Sequence, residues 1–595
     1  MKIIKRLSSA VLAGGLVGSL LAGPSAAQFA GGEASVEVAT SSNTGGSPRS
    51  AGRPTDYSTI KGLSQPRYKE VERESFLVPM KDGVNIYVEV VKPRAPGRYA
   101  TILELSPYHG TIADRSGTRI LPGPKGAQGE AVGLAGYFPP RGYAVVFADL
   151  RGTGRSEGCL DHMGPNDQSD AYELVEWAAK QKWSNGKVGM TGHSYVGSTP
   201  QMAAAENPPH LQTIVPSAGL AAMYHHEFQV GVPYFLQWAG PLFAYEQLAI
   251  ERHLPGGDSE GENTTYFGCG ATQSAAVTGE AYFSGAETEW HVERDFRKGA
   301  TKSKIPMFIV HGVNDNAARI AAIDWFNDRG GRRGDKAWIG QWDHGSGVYP
   351  NSRTCEQNGA ACGAKDQWTA ALHAWFDKHL QGRNVDTGPP VELFLNNGEV
   401  YTEHQWPVPA SDNLVLYPTQ DGSLRGQPDD EASASYIADA RGSSQEFSTA
   451  NVSWTGPKFT KDTLIAGVPD LRLEVSSTFP RIHINATLYD VAPGGEFDRI
   501  GRAGWAVQPE LRAGIDDPQP VIPGERMSIR LKGMSQAHLL AKGHRLMLRI
   551  ASSHPDKVPT FAEGAQITVY TGGKDGTSFS LPVITNPRTY ADPVF

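Results

Sequence analysis

Residues 187–197 have the sequence KVGMTGHSYVG, in which an apolar run leads into Gly192-His193-Ser194-Tyr195-Val196-Gly197. A stretch of small residues follows and ends before Pro208-Pro209. The pattern predicts a strand, a sharp turn and a helix, with glycines where backbones must approach closely. Such a turn exposes the serine hydroxyl and points the N-terminal amides of the helix towards developing negative charge. We therefore expect Ser194 to be a nucleophile rather than a surface serine in a tight turn.

The segments on either side of this turn alternate between strand and helix. Residues 101–105 form a β-rich run, and residues 144–148 are apolar throughout, as expected of a central parallel strand covered on both faces. Apolar runs recur at 307–310 and 337–339, and a helix is predicted over about 366–380. This alternation is typical of a parallel sheet with helices on its faces. With the serine turn, it predicts an α/β-hydrolase fold.

A serine hydroxyl is a weak nucleophile unless a histidine accepts its proton and an acid fixes the tautomer of that histidine. In this fold the chain order is serine, acid, histidine, with each side chain on a loop after a strand. Asp315 follows the predicted strand 307–310, and His344 follows 337–339. We therefore predict a catalytic triad of Ser194, Asp315 and His344.

Other acids and histidines of the chain are alternatives for these roles. Asp343 is the rival acid, but neighbouring side chains on one loop seldom reach each other suitably. His225 and His226 lie in an insertion, where lid or surface roles are more usual. His311 ends a predicted strand and is a candidate supporting residue in the acid loop.

An oxyanion needs two hydrogen-bond donors. One is expected to be the backbone N–H of Tyr195, the residue after the nucleophile. The other should come from Ser106-Pro107-Tyr108-His109-Gly110, which follows the run 101–105. The Tyr108 hydroxyl can donate, because a phenol with a pKa near 10 stays protonated. The alternative is a tyrosine packed under a cap.

An aromatic, loop-rich insertion interrupts the α/β pattern between about 221 and 300. Insertions of this length usually form lids or caps. Its aromatic residues are Tyr224, Tyr234, Phe235, Trp238, Phe243, Tyr245 and Trp290. Glu227, Glu246 and Glu251 are candidates for binding a substrate ammonium, although glutamates are mostly solvated surface residues.

The second half of the chain has a different hydrophobic pattern. After a linker at 382–390, short alternating segments such as 471–475, 546–550 and 566–570 are separated by turn residues. This pattern predicts an all-β sandwich of the jelly-roll type. We place the catalytic domain at 69–385 and the sandwich at 386–595.

The N-terminus predicts export. Lys2, Lys5 and Arg6 precede an apolar run and small residues, the pattern of a signal peptide over residues 1–27. Residues 28–68 are poor in large apolar side chains and are expected to form a flexible leader. The protein is therefore predicted to be secreted, to the medium or periplasm, with an uncleaved N-terminal anchor as the alternative, and no other stretch is apolar enough to span a membrane.

Composition and cysteine spacing limit the partners. A chain of 595 residues with a net charge of −8 fits a protein of at least two domains and gives no reason to expect a nucleic-acid partner. Four cysteines without clustered histidines favour two disulfides over a metal site. Cys355 is expected to pair with Cys362 and Cys159 with Cys269, although three connectivities are possible. No metal or cofactor is expected. The oligomeric state is left open.

Further segments give the chain a family resemblance. They include 78–84 (VPMKDGV), 106–108 (SPY), 149–158 (DLRGTGRSEG), the serine turn with Tyr195, 290–295 and 342–344 (WDH). Matches continue at 465–469 and 543–546. Beyond about residue 70, the chain resembles the cocaine esterase and X-Pro dipeptidyl-peptidase family, peptidase family S15.

The resemblance implies an α/β domain with a helical cap and a C-terminal jelly roll. It also implies that the Tyr108 hydroxyl is an oxyanion donor. Family members cleave X-Pro dipeptides, α-amino acid esters, β-lactam acyl groups or aryl esters. We expect an Xaa-Pro dipeptidyl-peptidase-like serine hydrolase acting on a short peptide, with a carboxylic or α-amino acid ester hydrolase as the alternative. A non-catalytic carbohydrate- or surface-binding protein is the alternative of another class.

Overall fold

The computed structural model describes residues 35–36, 51–109, 133–234, 284–315, 319–332, 334–344, 365–410, 412–439, 450–501, 504–558, 560 and 562–591. The helices are α1 (Gly133–Tyr137), α2 (Pro165–Ala179), α3 (Tyr195–Glu206), α4 (Met223–Glu227), α5 (Glu289–Val292), α6 (Arg297–Lys302), α7 (Arg319–Asn327) and α8 (Lys365–Leu380). Short 3₁₀ helices occupy Tyr57–Thr59, Pro139–Arg141 and Pro509–Leu511.

The strands up to residue 403 are β1 (Ser35–Val36), β2 (Val71–Pro79), β3 (Asn85–Pro93), β4 (Tyr99–Ser106), β5 (Tyr143–Asp149), β6 (Ser184–His193), β7 (Leu211–Ser217), β8 (Phe228–Gln229), β9 (Val232–Pro233), β10 (Phe308–Gly312), β11 (Lys336–Gly340), β12 (Val391–Phe394) and β13 (Glu399–Glu403). Those that follow are β14 (Asp412–Pro418), β15 (Leu424–Arg425), β16 (Ala432–Ile437), β17 (Asn451–Thr455), β18 (Lys458–Phe459), β19 (Thr463–Gly467), β20 (Asp470–Ser477), β21 (Ile484–Val491), β22 (Phe497–Arg499), β23 (Trp505–Val507), β24 (Met527–Lys532), β25 (Gln536–Leu540), β26 (Arg545–Ala551), β27 (Gln566–Thr571), β28 (Ser578–Thr585) and β29 (Tyr590–Ala591).

An eleven-stranded sheet with the order β2-β3-β5-β4-β6-β7-β10-β11-β12-β13-β29 organises the first half of the chain. Strands β5 to β12 along this order pair in parallel, while both margins are antiparallel. Strands β4 and β5 are buried along their whole length, because apolar clusters cover both faces. Leu174 and Met202 belong to one cluster, and Trp368 and Trp375 to the other. The predicted α/β-hydrolase fold is confirmed.

The carboxyl ends of the parallel strands lie along one edge of this sheet. There β4 ends at Ser106, β6 at His193, β10 at Gly312 and β11 at Gly340. Loops that follow these four strands are therefore neighbours. This edge carries every residue that the sequence places in the catalytic machinery.

The C-terminal sandwich consists of a nine-stranded and a five-stranded sheet. Burial alternates along β24, as expected for a strand with one face on a core. The predicted all-β second domain is thus confirmed, but its start needs correction. The sequence pattern assigns residues 391–403 to the sandwich. In the structure, β12 pairs with β11 and β13 pairs with β12, so both strands extend the main sheet. The sandwich strands begin with β14.

Residues 51–68 pack against the α/β domain, although the sequence predicts a flexible leader up to residue 68. The Tyr57 side chain is buried, and its hydroxyl donates to Glu392 Oε2 over 2.7 Å. Ser64 is buried against α8, where its N–H and its hydroxyl donate to Asp377 over 2.6 and 2.9 Å. The leader prediction is corrected for these residues, because a few buried hydrogen bonds anchor a segment that lacks a large apolar core of its own.

Several predictions fall outside the described residues. They concern the signal peptide, most of the cap, and Cys269, Cys355 and Cys362. Since only Cys159 of the four cysteines is described, the two disulfides stay predictions. Within the described ranges, no helix is long and apolar enough to cross a membrane.

Candidate active site

The turn between β6 and α3 holds Ser194 in a strained conformation. Its backbone angles are φ 67° and ψ −130°, a region that non-glycine residues rarely adopt. The flanking glycines are required by close approach. A Cβ on Gly192 would lie 2.3 Å from Val196 Cγ1, and one on Gly197 would lie 2.3 Å from the Ser217 carbonyl oxygen. The sequence therefore folds here into the sharp strand-to-helix turn that presents a serine side chain.

His344 connects Ser194 to Asp315, and we call these three residues the candidate triad. His344 Nε2 lies 2.8 Å from Ser194 Oγ, and His344 Nδ1 lies 3.0 Å from Asp315 Oδ2. An ionised carboxylate only accepts, so Nδ1 carries the proton and Nε2 faces the hydroxyl with its lone pair. The His344 side chain is 19% exposed and that of Asp315 is 1% exposed. A substrate can therefore reach His344 but not Asp315.

His311 lies beside the acid, as its position at the end of β10 suggests. Its Nδ1 is 4.0 Å from Asp315 Oδ2, which is too long for a hydrogen bond. Burial lowers the pKa of His311 to about 4, an effect that Asp315 opposes and His344 reinforces. The ring is therefore neutral near pH 7, and the negative charge of Asp315 remains available to His344.

His193, for which the sequence predicts no role, contacts the main chain of His344. Its Nε2 lies 3.1 Å from the carbonyl oxygen of His344, and its Nδ1 lies 3.0 Å from Ser217 Oγ. The two imidazole rings are 4.9 Å apart between centroids. Its place directly before Ser194 was the signal that could have identified it.

Tyr195 is the first residue of α3 and directly follows Ser194. Its side chain is fixed beneath the turn, because its hydroxyl donates to Asp167 Oδ2 and accepts from the N–H of Met163, both over 2.9 Å. Burial, with the nearby Asp161, raises the pKa of Asp167 to about 7. No local pattern marks Asp167, since its role depends on the packing of α2 against α3.

Tyr108 follows β4 and is buried in the same apolar cluster as Tyr195. The next residue, His109, lies between two carboxylates, with Nδ1 3.0 Å from Asp149 Oδ1 and Nε2 3.2 Å from Glu104 Oε1. Burial disfavours the imidazolium, but the two carboxylates outweigh this and raise the pKa of His109 to about 9. A charged His109 thus holds the loop that carries Tyr108 at the edge of the sheet.

In the cap, Glu227 is buried with His291. His291 Nδ1 accepts from Thr288, so its Nε2 donates to Glu227 Oε2 over 3.3 Å. Burial raises the pKa of Glu227, although the contact with His291 opposes the shift. Nearby, burial lowers the pKa of His225 to about 3, and His226 is also buried.

Two other predicted cap carboxylates, Glu246 and Glu251, lie outside the described residues. In the part of the chain that the structure describes, no group of three or more His, Cys, Asp or Glu side chains is arranged to hold a metal ion.

Two family models match the chain. The model of the X-Pro dipeptidyl-peptidase (S15 family) matches residues 82–346, and that of the X-Pro dipeptidyl-peptidase C-terminal non-catalytic domain matches residues 383–583. The first range includes every residue of the candidate triad together with Tyr108 and Tyr195.

Relatives align over most of the chain. A "Putative Xaa-Pro dipeptidyl-peptidase" of Streptomyces avermitilis is 27% identical, covering 82% of this chain and 81% of its own. The cocaine esterase of a Rhodococcus species is 24% identical, covering 80% and 90%. Among solved structures, an aminopeptidase from a marine-sediment Thaumarchaeota archaeon superposes with a TM-score of 0.69 at 19% identity, covering 86% of this chain and 96% of its own. That likeness concerns the fold.

Proposed function

Because the chain belongs to the X-Pro dipeptidyl-peptidase family S15, we propose that this serine hydrolase releases Xaa-Pro dipeptides through an acyl-enzyme on Ser194. The observation that carries the proposal is the hydrogen-bonded chain from Ser194 through His344 to Asp315 at a strained turn. Ester hydrolysis is the second candidate, since a cocaine esterase aligns over 90% of its own length. Export through residues 1–27 is part of the same proposal.

In the first step, Ser194 Oγ attacks the carbonyl carbon of the substrate while its proton passes to His344 Nε2. The distance of 2.8 Å between these atoms suits a direct transfer. The imidazolium that forms keeps its Nδ1 proton on the buried carboxylate of Asp315, which stabilises the new positive charge.

The negative charge on the substrate oxygen is stabilised by the backbone N–H of Tyr195 and the hydroxyl of Tyr108. The first donor is held by the contact of the Tyr195 side chain with Asp167. The second stands on the loop that the charged His109 fastens to Asp149. Donors that are fixed before the reaction stabilise such a charge most effectively.

Collapse of the tetrahedral intermediate breaks the bond to the leaving group, which takes the proton from His344 Nε2. A water molecule then gives a proton to His344 and attacks the acyl carbon. Collapse of this second intermediate breaks the bond to Ser194 Oγ, which takes back a proton from His344 as the carboxylic acid is released. An amine needs this proton more than an alcohol does, so the placement of His344 matters most for a peptide substrate.

An exopeptidase must also recognise a free ammonium group. Among the three cap glutamates, Glu227 is described, and its carboxylate is buried with one oxygen held by His291. Its second oxygen would serve an ammonium group of the substrate. The change Glu227→Gln should then raise KM for a free dipeptide anilide and leave KM for a simple ester unchanged.

The test compares three substrates on the full protein: Gly-Pro p-nitroanilide, its N-acetylated form and p-nitrophenyl butyrate. The proposal predicts rapid turnover of the free anilide, at least about 100-fold slower turnover of the acetylated anilide, and no turnover by Ser194→Ala. Cleavage of the butyrate alone would establish the esterase alternative. Turnover by Ser194→Ala equal to the unaltered enzyme would refute the assigned nucleophile.

If none of the three substrates is cleaved, labelling with a fluorophosphonate separates the remaining outcomes. A labelled Ser194 would retain the serine hydrolase and reject the substrate class. An unlabelled protein would instead favour the non-catalytic alternative.

A further inference from the structure

We propose that His193 is a positioning residue that fixes the backbone of the base His344, with Ser217 holding the opposite ring nitrogen of His193. The inference rests on the proposed function, because it assumes that His344 is the base. It assigns a role to the residue between Gly192 and the nucleophile, a position that the mechanism above does not use.

The contact of His193 with His344 defines which nitrogen of the neutral ring carries the proton. A carbonyl oxygen can only accept, so the Nε2 atom that lies 3.1 Å from the His344 oxygen carries the proton. The Nδ1 atom of a neutral ring is then an acceptor, and the Ser217 hydroxyl donates to it over 3.0 Å. His193 as a whole is 5% exposed, so water has little access to replace either partner.

The consecutive residues His193 and Ser194 therefore contact the main chain and the side chain of His344. Ser194 contacts its side chain at Nε2, and His193 contacts its main chain at the carbonyl oxygen. The rings of His193 and His344 also lie against each other, with an interplanar angle of 37°. The loop after β11 is thereby tied to the strand that presents the nucleophile.

Ser217 extends this arrangement to a second strand. It ends β7, and its own carbonyl oxygen accepts from the N–H of Ser194 over 3.0 Å. Its hydroxyl and its carbonyl thus contact His193 and Ser194 respectively. The pairing of β6 with β7 sets both contacts, since His193 is the direct partner of Ser217 in the sheet.

A base displaced by about 1 Å can lose roughly 100-fold in rate, because proton transfer depends steeply on geometry. Loss of the His193 contact should therefore lower kcat, while substrate binding, measured by KM, stays nearly constant. A purely structural role would instead lower the melting temperature and the fraction of active protein without changing kcat per active site.

The experiment measures kcat per fluorophosphonate-titrated site, KM and melting temperature for His193→Leu, His193→Gln and Ser217→Ala. We expect His193→Leu to lower kcat about 10- to 100-fold with KM within about twofold. His193→Gln should recover kcat to within about fivefold, because its amide N–H can reach the same carbonyl. Ser217→Ala should fall between them, since the ring keeps its contact with His344 but loses the hydrogen bond at its other nitrogen.

The matched control is His538→Leu, which removes a buried histidine of the sandwich. His538 Nε2 lies 3.0 Å from Asp490 Oδ2. The substitution should lower the melting temperature and leave kcat unchanged. Equal kcat values for His193→Leu and His193→Gln would overturn the proposal, as would a fall in melting temperature without a fall in kcat. If the unaltered enzyme has no titratable serine, the proposed function fails first, and this inference fails with it.

Discussion

Among the residues that the structure describes, a serine, a histidine and an aspartate meet at two places. One is the candidate triad. The other, which we call the buried serine cluster, consists of Ser64, His373 and Asp377. The distance from serine Oγ to histidine Nε2 is 2.8 Å in the first and 2.7 Å in the second. Proximity alone therefore does not distinguish an active site from a structural contact.

The position of the acid separates the two. In the candidate triad the acid and the serine occupy opposite ring nitrogens. In the buried serine cluster, Asp377 Oδ2 lies 3.3 Å from His373 Nε2, the nitrogen that also faces Ser64. The Ser64 hydroxyl is 2.9 Å from Asp377 Oδ1, while His373 Nδ1 is 3.2 Å from the Tyr137 hydroxyl. Here the acid competes with the histidine for the serine proton instead of orienting the ring.

Backbone and exposure differ as well. Ser194 has a strained conformation before a helix, and the histidine beside it is partly exposed. Ser64 and His373 are almost fully buried, and Asp377 is held by further donors, including Tyr143. A reactive serine is thus identified by strain, an open base and an acid on the far nitrogen, whereas a satisfied network stabilises the fold.

The largest expected effect comes from the two serines. Ser194→Ala should abolish labelling by a fluorophosphonate and lower kcat by at least about 10⁴-fold, because the nucleophile is lost. Ser64→Ala should be labelled at the rate of the unaltered protein. Mass spectrometry of the labelled peptide checks both, and a label on Ser64 would remove the distinction drawn above.

Substitution of Asp315 should change kcat, whereas substitution of Asp377 should change the free energy of unfolding. Asp315→Asn is expected to lower kcat about 10³- to 10⁴-fold, because the amide no longer stabilises the imidazolium or selects its tautomer. Asp377→Asn should retain kcat but lower the free energy of unfolding by about 2–4 kcal/mol, since buried donors lose an ionised acceptor. Steady-state kinetics and urea denaturation measure the two effects, and an inactive but fully stable Asp377→Asn would contradict this expectation.

Low pH should reduce the stability contributed by His311, beside the candidate triad, and by Asp377, in the buried serine cluster, in different pH ranges. The pKa of His311 is lowered to about 4, so the unfolded chain binds its proton first and stability falls as the pH drops from about 6.5 to 4, by up to roughly 3 kcal/mol. Burial opposes the ionisation of Asp377, but its hydrogen bonds, chiefly from His373, lower its pKa. Its stabilisation is therefore kept above about pH 3.8 and lost below.

Urea denaturation at pH 7, 6, 5 and 4.5 tests this expectation on the unaltered protein and on His311→Gln. The variant should lose less stability over this range, and identical slopes would show that His311 is not responsible.

The smallest expected effect is on stability at neutral pH. Ser64→Ala removes one buried hydroxyl and should lower the free energy of unfolding by about 1–2 kcal/mol. Thermal unfolding at pH 7.5 measures it. A loss as large as that of Asp377→Asn would mean that the hydroxyl, rather than the carboxylate, holds the segment.

The residues of the candidate triad could be proposed from the sequence because each follows an apolar run that encodes a parallel strand. The structure brings them together at one edge of the sheet, and that meeting follows from topology. His193 and Asp167 were not found, since their contacts depend on the packing of distant segments. Similarly, nothing local in residues 391–403 shows that they pair with β11 rather than with the sandwich.

The C-terminal sandwich leaves the main sheet after β13 and returns to it at β29, where Val400 pairs with Tyr590. Strands β13 and β29, which are neighbours in the main sheet, thus hold the sandwich domain at both of its ends. A protein cut after β13 would keep the candidate triad but expose the edge of β13 to other chains. Attempts to produce the α/β domain alone should therefore retain β29 on a short linker, or they will favour aggregation over solubility.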